Sequence, residues 1–267
     1  MIKRILKIFL VIVILALAVF GVLFATLPPS GQPTILMYHF IGSEKDAASE
    51  NNFVTLRAFA DQMSFLKRFG YRVISLDEYL EILEGRRRPR GREVVITFDD
   101  GHYTFFTLAL PILDRYRFPV TVFLTIRNIG GRMRPEMIRE LLKRPWFRVG
   151  SHAKNHFILT ELGDEQLRDE LEGSKRELES LFGAPVRFLA YPGGVFDARV
   201  VAAAQKAGYA LAFTTSPKKL KRVAEDRFSL TRTKISSDAD HPLSFWVHVS
   251  GIYQAYKRWR QELKMPA

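Results

Sequence analysis

Short apolar runs rich in β-branched and aromatic residues occur at 34–39, 72–75, 94–98, 120–124, 148–151, 186–191, 211–215 and 229–235, and each reads as a strand. Between them the apolar positions change to helical spacing. Leu56, Phe59, Met63, Leu66 and Phe69 form one stripe that Thr55 caps and Gly70 ends. Further helices are expected over 76–84, 103–116, 134–144, from Asp164 to a stop at Gly183, over 197–207 and over 243–263. On the helix that starts at Asp164, Leu167, Leu171, Leu178, Leu181 and Phe182 turn inward, and the charged face that includes Glu170 and Glu172 reads as solvated. Alternating strands and helices argue for parallel strands in an α/β fold.

One apolar run stands outside this series. Residues 8–27 are uncharged, and about 20 such residues match a bilayer core of about 30 Å. Lys3, Arg4 and Lys7 precede the run, which assigns residues 1–7 to the cytoplasm. The expectation is an uncleaved single-pass transmembrane anchor at 8–27, a proline-rich linker at 28–33 and a catalytic domain at 34–267 on the extracytoplasmic side. A cleaved signal peptide fits less well, because its apolar core is shorter and Ala-x-Ala does not occur near Ala25.

Composition narrows the chemistry. The 267 residues are 47% hydrophobic and 25% charged, as in a globular protein, and they include no cysteine. Disulfides, thiolate metal sites and cysteine nucleophiles are excluded. The net charge of +12 suits an anionic partner such as lipid headgroups or an acidic polymer. Arginines crowd 85–92, but no aromatic residue interleaves them, so the loop reads as solvated or resting on anionic membrane lipid, and no nucleic acid is expected.

The strand at 94–98 stops at Asp99-Asp100-Gly101. Neighbouring strand residues face opposite ways, so two adjacent acids can serve two partners if the chain bends at the glycine. His152 and His156, two of six histidines, stand four apart just past another strand. In a helix or a tight turn that spacing converges on one ion. With one strand-end carboxylate it makes a two-histidine, one-carboxylate set that leaves positions open for water and substrate. Spacing alone leaves open which aspartate would bind.

Thr97-Phe98-Asp99-Asp100-Gly101 followed by Ser151-His152-x-x-x-His156-x-x-Leu159 resembles the first two motifs of the polysaccharide deacetylases, the NodB-homology or carbohydrate esterase family four enzymes. The resemblance covers roughly residues 33–235 and implies a distorted (β/α) barrel of about seven parallel strands, fewer than the eight of a TIM barrel. It implies hydrolysis of the N-acetyl amide of amino sugars in an extracytoplasmic polysaccharide, with a divalent metal on Asp100, His152 and His156 and Asp99 as general base. Zinc is the first choice of metal, with cobalt, nickel, manganese or iron also compatible with such ligands. Tyr191-Pro192-Gly193-Gly194 aligns with the third motif, so the Gly193 amide is the expected oxyanion donor, and Tyr191 and Pro192 are expected to line the substrate. That motif here lacks its arginine and its tyrosine. The late Leu-x-His motif is absent too, leaving His248 as the candidate general acid; Arg232 falls where a functional arginine often stands, and is expected to touch substrate. His39, after the first strand, reads as a structural histidine. Two other readings share these residues: a deacylase or deformylase of a lipid-linked amino sugar, and a saccharide-binding pseudoenzyme.

Overall fold

The computed structural model describes residues 32–43, 52–130, 133–215 and 226–263, together with 4, 7, 9–12 and 15. Its strands are β1 (Thr34–Tyr38), β2 (Phe40–Gly42), β3 (Phe53–Thr55), β4 (Arg72–Val73), β5 (Glu93–Phe98), β6 (Val120–Leu124), β7 (Phe147–Ser151), β8 (Phe188–Ala190), β9 (Leu211–Thr214), β10 (Leu230–Thr231) and β11 (Thr233–Lys234). Every residue of β1, β5 and β6 is buried, as in a parallel sheet covered on both faces. Nine strands form one sheet in the order β10-β9-β8-β7-β6-β5-β1-β11, with β4 beside the start of β5. The pair β2 and β3 stands apart.

The two ends of that order are one stretch of chain. β10 pairs with β9 and β11 pairs with β1, so residues 230–234 join the sheet's two edges into a nearly closed parallel barrel. Arg232 lies at the changeover, its amide donating to the Thr214 carbonyl at 2.9 Å. Inside the ring, Ile35, Val95, Phe123, Phe188, Phe213 and Leu230 meet Leu76, Tyr79, Leu80 and Ile82 of the helix Leu76–Leu83. That helix plugs the amino-terminal end of the barrel. Ser75 and Glu78 cap it reciprocally, and its Asp77 receives Arg148 and Arg187 from the starts of β7 and β8. Outward residues such as Leu36, Val94, Ile96 and Val122 pack beneath the surrounding helices.

Several expectations require correction. Among the described residues no helix is long and apolar enough to cross a membrane. Of 8–27 only 9–12 and 15 are described, all of them helical, and the rest of that range, with 28–31 of the linker, lies outside the described residues. The transmembrane helix, the membrane-lipid contact through it and the localisation built on it are therefore withdrawn. The sheet has nine strands rather than about seven, because the last stave splits at Arg232 and β4 is a two-residue addition to β5. The helix expected over 243–263 breaks into Pro242–Val249 and Ile252–Glu262, since Gly251 adopts φ +84° between them. The helix expected over 103–116 starts with a π-helical turn, Phe105–Ala109, ahead of Pro111, which has no amide hydrogen to continue an α-helical ladder. In the basic loop, Arg87 is held on buried Glu93 at 2.7 Å and is not merely solvated.

Candidate metal centre

Pleating of β5 sends Val95 and Thr97 into the barrel and Ile96 and Phe98 outward, and Asp99 continues the inward series. Its carboxylate is buried at 2% exposure. Asp100 and Gly101 follow with φ of 65° and 66°. Two successive left-handed residues turn the chain sharply, so Asp100 leaves the barrel axis and faces outward with 38% of its side chain exposed. The adjacent acids thus look at different partners.

β7 delivers the histidines. Its register with β6 ends at Leu124 opposite Ser151, and the His152 amide continues the pairing to the Leu124 carbonyl at 2.8 Å. Beyond it the chain is a tight turn, not a helix, with Ala153 and His156 at φ of 62° and 60°. His152 Nδ1 lies 2.8 Å from the Ala190 carbonyl, which requires Nδ1 to donate and leaves the Nε2 lone pair free. Nε2 of His152 and Nε2 of His156 each stand 3.5 Å from Asp100 Oδ1. One ligand atom from each of the three residues lies within 4.8 Å of the others. Burial holds His152 below its ordinary pKa despite Asp99 and Asp100 nearby, so its imidazole is neutral, as a ligand must be. Two imidazole nitrogens and one carboxylate, with the His152 tautomer fixed and the solvent side open, fit a divalent ion.

Asp99 faces inward onto Arg232. The guanidinium donates two bonds of 2.6 Å to the two carboxylate oxygens, and its Nη1 also donates to Thr97 Oγ1 at 3.2 Å. Phe123 and Phe213 flank it, with ring centroids 5.2 and 5.9 Å away. Burial alone would raise the Asp99 pKa, but the Arg232 charge beside it and the Arg232 bonds outweigh it and hold it at about 2. The third motif lacks its arginine, and Asp99 is held instead by an arginine from the last stave, which pairs with β1 next to β5. Arg232 is buried at 2% exposure and holds Asp99 and Thr97, which differs from the substrate contact expected of it.

The remaining candidates separate. Gly193 is the exposed residue of the turn Pro192–Gly194, at φ 63°, and its Cα faces Ile158 near the histidine turn. Pro192 is buried in the same turn. Tyr191 is buried, stacked on Phe196 with 5.0 Å between centroids, and donates to the Phe228 carbonyl at 3.0 Å. That packing removes it from a substrate surface. His248 lies in the helix Pro242–Val249, with Nδ1 2.8 Å from the Ser244 carbonyl, Nε2 3.4 Å from Asp238 and Tyr253 stacked at 4.2 Å. All these partners are carboxy-terminal, and none is a metal-centre residue.

Two residues near the centre escaped sequence reasoning. His39 Nε2 lies 4.0 Å from Asp99 Oδ2, and burial lowers its pKa even with both aspartates nearby. The register of β1 on β5, which pairs Tyr38 with Phe98, sets His39 beside Asp99; only knowledge of the pairing reveals it. Glu170, read as solvated, is buried at 3% exposure and bonded to the histidine turn.

Barrel and centre together define a metal-dependent hydrolase whose chemistry sits at the carboxyl ends of parallel strands. A family model described as polysaccharide deacetylase matches residues 86–212. YxkH of Bacillus subtilis, which carries that family's name, is 28% identical over 204 residues, 76% of this chain and 71% of its own. The poly-beta-1,6-N-acetyl-D-glucosamine N-deacetylase of Staphylococcus epidermidis is 26% identical over 205 residues, 71% of this chain and 70% of its own. The Streptococcus pyogenes deacetylase PplD, solved with acetate, superposes with a TM-score of 0.73 at 24% identity, covering 82% of this chain and 98% of that one. The chain belongs to the polysaccharide deacetylase family, carbohydrate esterase family four.

Proposed function

We propose that the domain at 34–267 removes N-acetyl groups from a polymer of N-acetylglucosamine, with zinc as the working metal. The observation that carries this reading is the convergence of Asp100, His152 and His156 beside an inward, arginine-held Asp99. The named substrate of the staphylococcal relative supports the choice of polymer. A divalent ion on those three ligands would polarise the acetyl carbonyl and acidify the attacking water.

The chain's own groups carry the protons. Asp99, ionised down to about pH 2 and locked in orientation by Arg232, takes the proton from the attacking water. So acidic a group gives that proton up readily. His39, 4.0 Å away and neutral at rest, receives it and hands it to the departing amine nitrogen. The Gly193 amide donates to the acetyl oxygen as negative charge builds there. In this reading His39, not His248, is the proton donor to the leaving group.

The test is acetate release from N-acetylglucosamine oligomers. Chelation abolishes it and zinc restores it if the reading holds; release that continues unchanged in a chelator refutes it.

A further inference from the structure

Between the helices Asp164–Arg168 and Ser174–Phe182 the chain makes a π-helical turn, Asp169–Gly173. Such a turn inserts a residue into a helix and re-aims its neighbours. Here it points a carboxylate inward. Glu170 Oε2 accepts from the amides of Lys154 at 2.8 Å and Asn155 at 2.9 Å, while Oε1 accepts from Asn155 Nδ2 at 2.7 Å. Lys154 and Asn155 lie midway between the two histidine ligands. The preceding Asp169 takes the Lys154 ammonium at 3.1 Å, so the turn is gripped from two neighbouring positions. A second link starts at Ala153, whose amide donates to Ser151 Oγ; that hydroxyl is 3.0 Å from Ser174 Oγ, which bonds the Leu171 carbonyl within the π-turn.

The histidine turn has left-handed residues at Ala153 and His156 and no helix or sheet pairing across Lys154 and Asn155. Consecutive amides pointing the same way form a concavity that suits an anion. A carboxylate is the one side chain that accepts all three donors without presenting a hydrogen of its own. Glutamine would set an NH2 against Asn155 Nδ2 or against the two amides.

We propose that Glu170 is a positioning residue for the metal centre: it fixes the turn that brings His152 and His156 to a single ion. This rests on the metal-hydrolase reading above, and acts on the centre without touching substrate. The test uses the full chain and the Glu170→Gln variant, with zinc affinity measured by chelator competition and amide exchange measured on metal-free protein.

The expected result is zinc affinity lower by about 10- to 100-fold. Exchange at the Lys154 and Asn155 amides rises, while that of Phe123 and Val149 in the barrel is unchanged. Asn155→Ala, which removes only the side-chain bond, loses less affinity than Glu170→Gln. Affinity within about twofold of the parent, together with unaltered exchange at both amides, overturns the proposal. Should Glu170→Gln not fold, Asn155→Ala decides, and the same twofold outcome overturns it. A parent chain that binds no zinc sinks the metal reading instead, and exchange in the metal-free variants still reports on Glu170.

Discussion

Asp99 and Arg232 form the most consequential pair of side chains in the molecule. They are 133 positions apart in sequence and both 2% exposed. Removing one partner of such a pair leaves a buried charge uncompensated, at a cost of about 3–5 kcal/mol. Asp99→Asn should therefore lower the thermal midpoint as well as cut kcat by about 10²-fold or more, while zinc affinity, set by Asp100, His152 and His156, stays near that of the parent. A proportional fall in zinc affinity would show that Asp99 is a ligand rather than a base. The pair also sets an acid limit. With its folded pKa held at about 2, below an unfolded value near 3.9, Asp99 contributes stability that is full above the unfolded value and is lost as pH falls through the folded one. The contribution is on the order of 2 kcal/mol. Urea midpoints of metal-free protein between roughly pH 4 and pH 2 should drop more steeply for the parent than for Asp99→Asn. Equal slopes would remove Asp99 from the acid transition. At this scale, strand alternation made legible that the two acids face apart. The contacts of Arg232 and His39 with Asp99 were not legible, because each reaches Asp99 through strand pairing that no local pattern encodes.

Strands and their ends were the most readable elements, since uninterrupted apolar runs such as 94–98 and 120–124 have few other fates than a doubly covered sheet. Misreadings gathered where a local backbone event interrupts a periodic pattern. Pro111 introduces the first π-turn, Gly251 divides the last helix and Arg232 divides the last stave. Apolar spacing continues across all three, so the pattern carries no warning. The second π-turn misled most, because it moved Glu170 from the solvated face into the site. The turn after β5 shows how an element's end controls chemistry. Gly101 follows a left-handed Asp100 and is left-handed itself, and a Cβ there would approach Leu124 Cδ2 at 2.5 Å. A left-handed alanine costs roughly 1–2 kcal/mol, and Leu124 must shift as well. Gly101→Ala is expected to reduce stability by about that amount in urea titration, and to weaken zinc binding because relief of the strain swings Asp100. An alanine variant with parent-like zinc affinity would mean that the aspartate keeps its direction without the tight turn.

At the scale of the whole molecule, the barrel divides its two ends between tasks. The amino-terminal end is filled by the plug helix and by Asp77 with its two arginines, and the carboxyl ends of β1, β5, β7 and the last stave carry His39, the aspartates, the histidines and Arg232. Membership of the family was legible in two short motifs, whereas the spanning anchor read from composition alone was not upheld. Ring closure explains why the centre is a property of the fold. Asp100 follows β5 and His152 follows β7, with β6 lying between them, so an ion held by these residues would tie together strands that do not pair. Binding to the folded state alone raises stability by about 2.7 kcal/mol when free zinc is 100 times its dissociation constant. At about 2–4 °C per kcal/mol for a domain of this size, that is a rise of several degrees. A thermal melt of chelated protein, repeated with zinc added back, measures it directly. Asp100→Ala and His152→Ala should abolish the zinc-dependent rise. His248→Gln should keep it, since that imidazole is occupied by Ser244, Asp238 and Tyr253. The same three variants separate ligand loss from general damage, because only a residue that holds the ion removes the difference between melts with and without zinc. A rise that survives in Asp100→Ala would mean the ion binds elsewhere, and a rise lost in His248→Gln would return that histidine to the centre.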